Sequence, residues 1–181
     1  MPETHSSMLG IGTQMPDFSL PDADGHVSSP CERKNGYLVI FICNHCPFVI
    51  HVAETLNEIA ERCRSFGVEL ICINANDASA YPADAPIKMV ETAAEYKWTF
   101  PYLVDENQEV AKAFCATCTP DAFLYDKNRS LFYRGQLDDS RPSQGVSDGS
   151  NMLAALDDLE CGKTPPKNQK PAIGCNIKWK S

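Results

Sequence analysis

The chain has 181 residues, of which 43% are hydrophobic and 22% are charged, and its 24 acidic residues outnumber its 16 basic ones. This balance excludes disordered and fibrous chains, and the net charge of −8 argues against a nucleic-acid partner, because phosphate binding relies on clustered Lys and Arg. The nine cysteines are odd in number, which excludes a scaffold in which every cysteine is paired within the chain.

The first half of the chain predicts alternating strands and helices. Residues 37–43 are a continuous apolar run, typical of a strand buried on both faces. A helix is predicted next, because apolar residues recur at spacings of three and four before a stop at Gly67. These residues are Val49, Val52, Leu56, Ile59 and Cys63. Residues 68–74 predict a second buried strand.

The second half continues this alternation and then changes to a hairpin. Ile87, Val90 and Ala94 predict a helix that begins near Asp84 and Pro86. A short strand over 100–104 and a short helix over 110–114 follow, and residues 122–125 and 131–134 predict a β-hairpin. A last helix is predicted from 148 to 162. This order indicates an α/β sandwich with a mixed sheet.

We expect one domain over residues 1–160 and a basic tail over 161–181 that packs on the domain or trails from it. The tail holds five Lys and no acidic residue. Residues 1–16 contain no Lys or Arg and no apolar run of signal-peptide length, and no run reaches the roughly 18 apolar residues that a membrane span needs. We therefore expect a cytoplasmic protein without a membrane partner, in which thiols are mostly reduced.

The motif Cys43-Asn44-His45-Cys46 lies between the first buried strand and the following helix. We expect the first cysteine, Cys43, at the helix N-terminus, where free N–H groups and the helix dipole stabilise a thiolate by up to about 1–2 kcal/mol. A protonated His45 would favour the thiolate further. The i, i+3 spacing brings the second sulfur within disulfide reach. We predict a thiol–disulfide oxidoreductase in which Cys43 attacks a disulfide and Cys46 resolves the mixed disulfide.

A second cysteine pair, Cys115 and Cys118, precedes Thr119-Pro120. It raises an alternative function, a metal-binding or redox-sensing module that uses Cys43, Cys46 and Cys118, with His45 as a further ligand, since thiolates suit zinc or Cu(I). The two pairs are much farther apart in sequence than the roughly 12–20 residues of ribbon-type zinc sites. Zinc is therefore the weaker interpretation unless the fold brings the two pairs together, and we assign no residue as a metal ligand.

The order of motifs resembles that of a known family. Residues 15–21 (MPDFSLP), the strand that ends in CxxC, and residues 118–126 (CTPDAFLYD) are similar to the thioredoxin-like redoxins of the alkyl hydroperoxide reductase/thiol-specific antioxidant group. The tail 174–180 resembles that of an uncharacterised bacterial, thiol–disulfide isomerase-like branch. The resemblance covers nearly the whole chain. It implies a thioredoxin-like sandwich, a mixed central sheet flanked by helices, with an N-terminal extension and a central insertion over 76–105.

The same resemblance implies a substrate-binding edge. Pro120 matches the cis-proline that faces the CxxC motif, Thr119 would offer its backbone to an extended substrate, and Cys118 would lie close to the redox pair. The substrate would be a disulfide-containing protein or a small thiol, and we expect a monomer or homodimer. No organic cofactor is implied, because the chain has neither a GxGxxG after a strand nor a Walker loop.

A peroxidase is not expected. Peroxiredoxins place Thr or Ser three residues before the reactive cysteine and Pro four residues before that. Ile40 and Gly36 occupy these positions relative to Cys43, and Cys43 and Val39 occupy them relative to Cys46.

The remaining cysteines divide by position. Cys63 and Cys72 are predicted to be core residues, Cys31 a loop thiol, and Cys161 an inert thiol at a helix C-terminus. Cys175 is either a distant resolving cysteine or a lone surface thiol.

Overall fold

The computed structural model describes residues 3–32 and 34–180. Within these residues the helices are α1 Pro47–Val52, α2 Thr55–Phe66, α3 Pro86–Glu95, α4 Glu109–Ala113 and α5 Ser150–Glu160. The strands are β1 Glu3–His5, β2 Leu20–Pro21, β3 Val27–Ser28, β4 Gly36–Phe41, β5 Val68–Asn74, β6 Tyr102–Val104, β7 Cys118–Thr119, β8 Asp121–Asp126, β9 Leu131–Gly135 and β10 Ile173–Asn176. The predicted alternation of strands and helices, followed by a hairpin of β8 and β9, is confirmed.

The central sheet is mixed and has five strands in the order β6-β5-β4-β8-β9. β4, β5 and β6 are parallel, whereas β8 and β9 are antiparallel to their neighbours. β4 is the middle strand, and all six of its residues are buried. This burial on both faces is the reason why its sequence is a continuous apolar run.

Alternate residues of β4 face two different apolar clusters. Leu38 and Ile40 pack with residues of α1, α2 and α5, whereas Val39 and Phe41 pack on the other face with an aromatic cluster that includes Phe114. The ring of Phe41 lies 5.5 Å from that of Phe114 in an edge-to-face arrangement. The sheet is thus covered on both faces, and the carboxyl end of β4 is held between the two clusters.

The long helix predicted after the CxxC motif is broken into α1 and α2. At the break, the indole Nε1 of Trp98 donates a hydrogen bond of 2.9 Å to the carbonyl oxygen of Ala53. That oxygen therefore has a partner outside the helix. A donor from a distant segment can satisfy a helix-end carbonyl in this way. The apolar spacing within residues 49–63 does not indicate such a donor, so the break was not predicted.

The helix predicted around Ile87 is present as α3, but the apolar residues that predicted it do not face the core. Ile87 and Val90 are exposed, and Met89 is the buried residue. Ala93 and Tyr96 pack beside Met89 against the core, and this i, i+4, i+7 set lies on one side of the helix.

Residues 161–181, expected as a tail, contribute a strand to a second sheet. β10 lies between β1 and β7 in a three-stranded antiparallel sheet. Lys170 and Lys163 pair with Asp139 and Asp158 at 2.6 and 2.7 Å. None of the described helices is both long and apolar enough to cross a membrane.

Candidate active site

Cys43 and Cys46 lie at the carboxyl end of β4, where the chain turns into α1. The sequence predicted that Cys43 stands at the helix N-terminus, and this is wrong: α1 begins at Pro47, and Cys46 is its N-cap residue. Cys46 has an extended backbone, with φ −73° and ψ 121°. A proline disfavours the helical conformation in the residue before it and is itself suited to the first helical position. Pro47 therefore sets the helix start three residues after the position expected.

Thr119 contacts both sulfur atoms. The Sγ of Cys43 lies 3.3 Å from the Thr119 hydroxyl, and the Cys46 thiol donates to the Thr119 carbonyl oxygen at 3.1 Å. The Thr119-Pro120 bond is cis, as the resemblance implies. Cys118 is buried, and its thiol is directed at the Pro120 carbonyl oxygen, at 3.7 Å. All nine cysteines are free thiols, so the structure is that of the reduced protein.

The two thiols are not equivalent. Hydrogen bonding with Cys43 lowers the pKa of Cys46; burial acts against this, and contacts with Cys175, Thr119 and the Val49 N–H lower the pKa further. The pKa of Cys43 is raised by the same hydrogen bond with Cys46, by burial and by the nearby charge of Asp84. The Cys46 thiol therefore loses its proton more readily than the Cys43 thiol, and Cys46 also stands at the helix end.

Asp84 is a member of the site that sequence reasoning missed. It was assigned to a helix start, but α3 is capped by Ala85, and Asp84 ends a 3₁₀ turn that is folded onto the motif. Its carboxylate accepts hydrogen bonds from the Asn44 N–H and the Asn76 side chain, at 2.8 and 2.7 Å. It also lies 2.7 Å from Nδ1 of His45. The side chain is fully buried, and no local sequence signal indicates these contacts.

His45 links the buried pair to the protein surface. Its Nδ1 is close to Asp84 but is turned away from a well-directed hydrogen bond. Its ring stacks on Tyr81 at a centroid distance of 5.9 Å. The residues Cys43 and Cys46 are only 1% and 0% exposed, whereas the His45 side chain is 23% exposed. Asn44 and His45 are therefore the partly exposed residues of the motif.

The metal alternative named Cys43, Cys46 and Cys118. Among the described residues, the buried group whose possible ligand atoms lie within 4.8 Å of one another is instead Cys43, His45 and Asp84. The group contains neither Cys46 nor Cys118.

The other cysteines mostly follow the prediction. Cys63 and Cys72 are buried in the core, and burial raises the pKa of both. Cys31 and Cys161 are exposed. Cys175 is buried, which excludes the lone surface thiol, and its side chain interacts with that of Cys46.

Comparison with known proteins agrees with this geometry. A model of the AhpC/TSA family matches residues 11–134. The thiol-disulfide oxidoreductase ResA of Geobacillus kaustophilus is 28% identical over 127 residues, 69% of this chain and 68% of that protein. An uncharacterized conserved protein from Geobacillus kaustophilus has a crystal structure with a TM-score of 0.95 and 47% identity, covering 99% of this chain and 97% of that one.

A more distant structure establishes the fold class. The thioredoxin domain of a thiol-disulfide oxidoreductase from Bacteroides vulgatus superposes with a TM-score of 0.62 and 16% identity, covering 81% of this chain and 96% of that one. The thioredoxin-like sandwich expected from the sequence is thereby confirmed.

Proposed function

The chain belongs to the AhpC/TSA family, and from this premise we propose that it is a thiol–disulfide oxidoreductase that works through Cys43 and Cys46. One observation carries the proposal: both sulfurs contact Thr119, beside the cis-proline and at the start of α1. A thiolate stabilised at a helix end, with a second thiol in contact, is the arrangement that disulfide exchange requires. The relative from Geobacillus kaustophilus is named a thiol-disulfide oxidoreductase, which supports the same class of reaction.

The reaction begins on Cys46. Its thiolate attacks one sulfur of a substrate disulfide, forms a mixed disulfide and releases the other substrate sulfur as a thiolate. Cys43 then attacks the Sγ of Cys46, its proton passes to the departing thiolate, and the second substrate sulfur is released. Two electrons have moved from the cysteine pair to the substrate. The order of the two cysteines is therefore the reverse of the one expected from the sequence.

The substrate class is a disulfide-containing protein or a small disulfide. The burial of both sulfurs favours a partner that presents its disulfide on a narrow, extended segment. The edge at Thr119, which the resemblance assigns to such a segment, is occupied by β10. We propose the cytoplasm as the location, because the thiols of Cys31, Cys115 and Cys161 are exposed and exposed thiols persist best in a reducing compartment.

Disulfide reduction by purified protein tests this function. The reduced protein is mixed with a fluorescence-quenched peptide disulfide under single-turnover conditions. We expect wild type to reduce the peptide, and Cys46→Ser to lower the rate by at least about a thousandfold, since no thiolate remains at the helix end. Cys161→Ser removes an exposed thiol outside the site and serves as the matched control. Equal rates for wild type and Cys46→Ser would contradict the proposal.

Metal analysis separates this function from the metal alternative. We expect protein purified without oxygen to reduce the peptide equally well before and after treatment with a chelator. A stoichiometric metal that blocks alkylation of Cys43 until it is chelated would favour the metal-binding module instead.

A further inference from the structure

Cys175 lies beside the proposed redox pair, although it is far from it in sequence. It belongs to β10, where it pairs with Thr119 of β7, and β10 packs against α1. Cys175 is 4% exposed and lies in the same apolar cluster as Cys43 and Cys46. The C-terminal strand therefore brings a third thiol to the residue that both redox sulfurs contact.

The carbonyl oxygen of Thr119 shows how close this approach is. Cys46 Sγ lies 3.1 Å from that oxygen, and a Cβ atom placed on Gly174 would come within 2.1 Å of it. The backbone of β10 and the sulfur of Cys46 thus meet at one atom. Cys46 therefore has two thiol neighbours in its apolar cluster, Cys43 within the motif and Cys175 on β10. Hydrogen bonding between Cys46 and Cys175 lowers the pKa of Cys46 and raises that of Cys175.

Cys118 is the other buried cysteine of this region, and its geometry is different. Its thiol is directed at the Pro120 carbonyl oxygen, at 3.7 Å, and the apolar cluster described for Cys43, Cys46 and Cys175 does not include it. Of the buried thiols outside the CxxC motif, Cys175 is therefore the one placed to react with Cys46.

We propose that Cys175 is a third redox cysteine, which forms a disulfide with Cys46 as an alternative to the Cys43–Cys46 disulfide. The inference rests on the proposed function, because it needs a mixed disulfide on Cys46. Cys175 attacks the Sγ of Cys46, the Cys46–Cys175 bond forms, and the bond to the substrate sulfur breaks. The Cys175 proton passes to the departing thiolate. Cys43 can then attack Cys46 in turn, which forms Cys43–Cys46 and returns Cys175 to the thiol.

This exchange gives the protein two alternative disulfides, Cys43–Cys46 and Cys46–Cys175. Both use the sulfur of Cys46, so only one of them is present at a time. Cys43 lies beside His45 and Asp84, whereas Cys175 lies on the C-terminal strand β10. The oxidised state can therefore be held either at the motif or as a link between α1 and the C-terminal strand. Disulfide exchange within such a chain of thiols needs no further oxidant or reductant.

The test uses Cys43→Ser, which removes the usual resolving thiol. The reduced variant is mixed with oxidised glutathione, and its disulfides are mapped by mass spectrometry after acid quenching. We expect a Cys46–Cys175 disulfide and release of both glutathione molecules. In Cys43→Ser/Cys175→Ser, glutathione should remain on Cys46, with its release slowed by at least about a hundredfold, since the intramolecular thiol is lost. Cys43→Ser/Cys175→Ala repeats the measurement without a buried hydroxyl.

The matched control is Cys43→Ser/Cys118→Ser, which should still form the Cys46–Cys175 disulfide. The inference is overturned if Cys43→Ser holds glutathione on Cys46 as long as the double variant does, or if Cys118 is found in the disulfide. Either result leaves the proposed function intact, because wild type would still resolve through Cys43. Loss of wild-type peptide reduction would instead remove the proposed function itself.

Discussion

At the scale of single residues, Pro47 decides which cysteine stands at the helix N-terminus. The spacing of the CxxC motif was visible in the sequence, and it suggested that the first cysteine begins the helix. The proline moves the helix start to residue 47, so Cys46 takes the N-cap position, and the neighbouring carboxylate of Asp84 raises the pKa of Cys43. A single residue next to the motif thus places Cys46 at the helix end, and this supports the order of attack proposed above.

Asp121 provides a residue-scale prediction about pH. Burial raises the pKa of this carboxyl to about 7, although N–H groups of Thr117 and Cys118 act against the shift. In the unfolded chain the pKa is about 3.9. The folded state therefore binds more protons at Asp121 between these values. The contribution of Asp121 to stability is greatest at low pH and falls by a few kcal/mol as pH rises from about 4 to about 7.

Urea unfolding of wild type and Asp121→Asn across pH 4 to 8 measures this effect. The variant keeps a side-chain oxygen that can accept the Thr117 N–H but has no charge to bury. We expect the slope of unfolding free energy against pH to become flatter in the variant. Parallel profiles for the two proteins would show that Asp121 does not titrate in this range.

At the scale of elements, the break between α1 and α2 depends on a residue from another part of the chain. The apolar spacing predicted one helix, because both segments bury the same side against the sheet. The bond from Trp98 to the Ala53 carbonyl oxygen supplies the partner that a continuous helix would provide. The position of α1, and therefore of Cys46, is set in part by this contact.

Trp98→Phe tests the role of that bond. The variant retains an aromatic ring but loses the donor, so a buried carbonyl oxygen is left without its partner. We expect the free energy of unfolding to fall by about 1–3 kcal/mol, measured with urea. Trp179→Phe is the matched control, since Trp179 is 41% exposed. Equal losses in the two variants would show that the indole bond contributes nothing specific.

At the scale of the whole molecule, the C-terminal segment completes the candidate site. β10 pairs with β1 from the other end of the chain and with β7 beside the cis-proline. Beyond it, the backbone N–H of Lys178 donates to Asn76, and the side-chain nitrogen of Lys178 lies 5.7 Å from the ring centre of Tyr81, which stacks on His45. Both ends of the chain and the central insertion therefore meet around the thiols.

Gly174→Ala tests this arrangement. A methyl group would lie 2.1 Å from the Thr119 carbonyl oxygen, so β10 must move away from β7. We expect a loss of stability of about 2 kcal/mol or more and faster alkylation of Cys46 and Cys175 by iodoacetamide in the folded protein. Gly10→Ala is the control, because a methyl group there meets its nearest atom at 3.7 Å. Unchanged alkylation in Gly174→Ala would show that the strand does not cover the thiols.

The sequence by itself determined the elements whose signal is local. The buried strand β4, the hairpin of β8 and β9, and the CxxC motif at a strand–helix junction follow from periodicity and spacing, because backbone geometry repeats over a few residues. Only the tertiary structure decided that Asp84 faces His45, that α3 buries Met89 in place of Ile87, and that Cys175 reaches Cys46. These contacts join segments far apart in the chain, and their energies depend on burial and neighbouring charge, which no local pattern records.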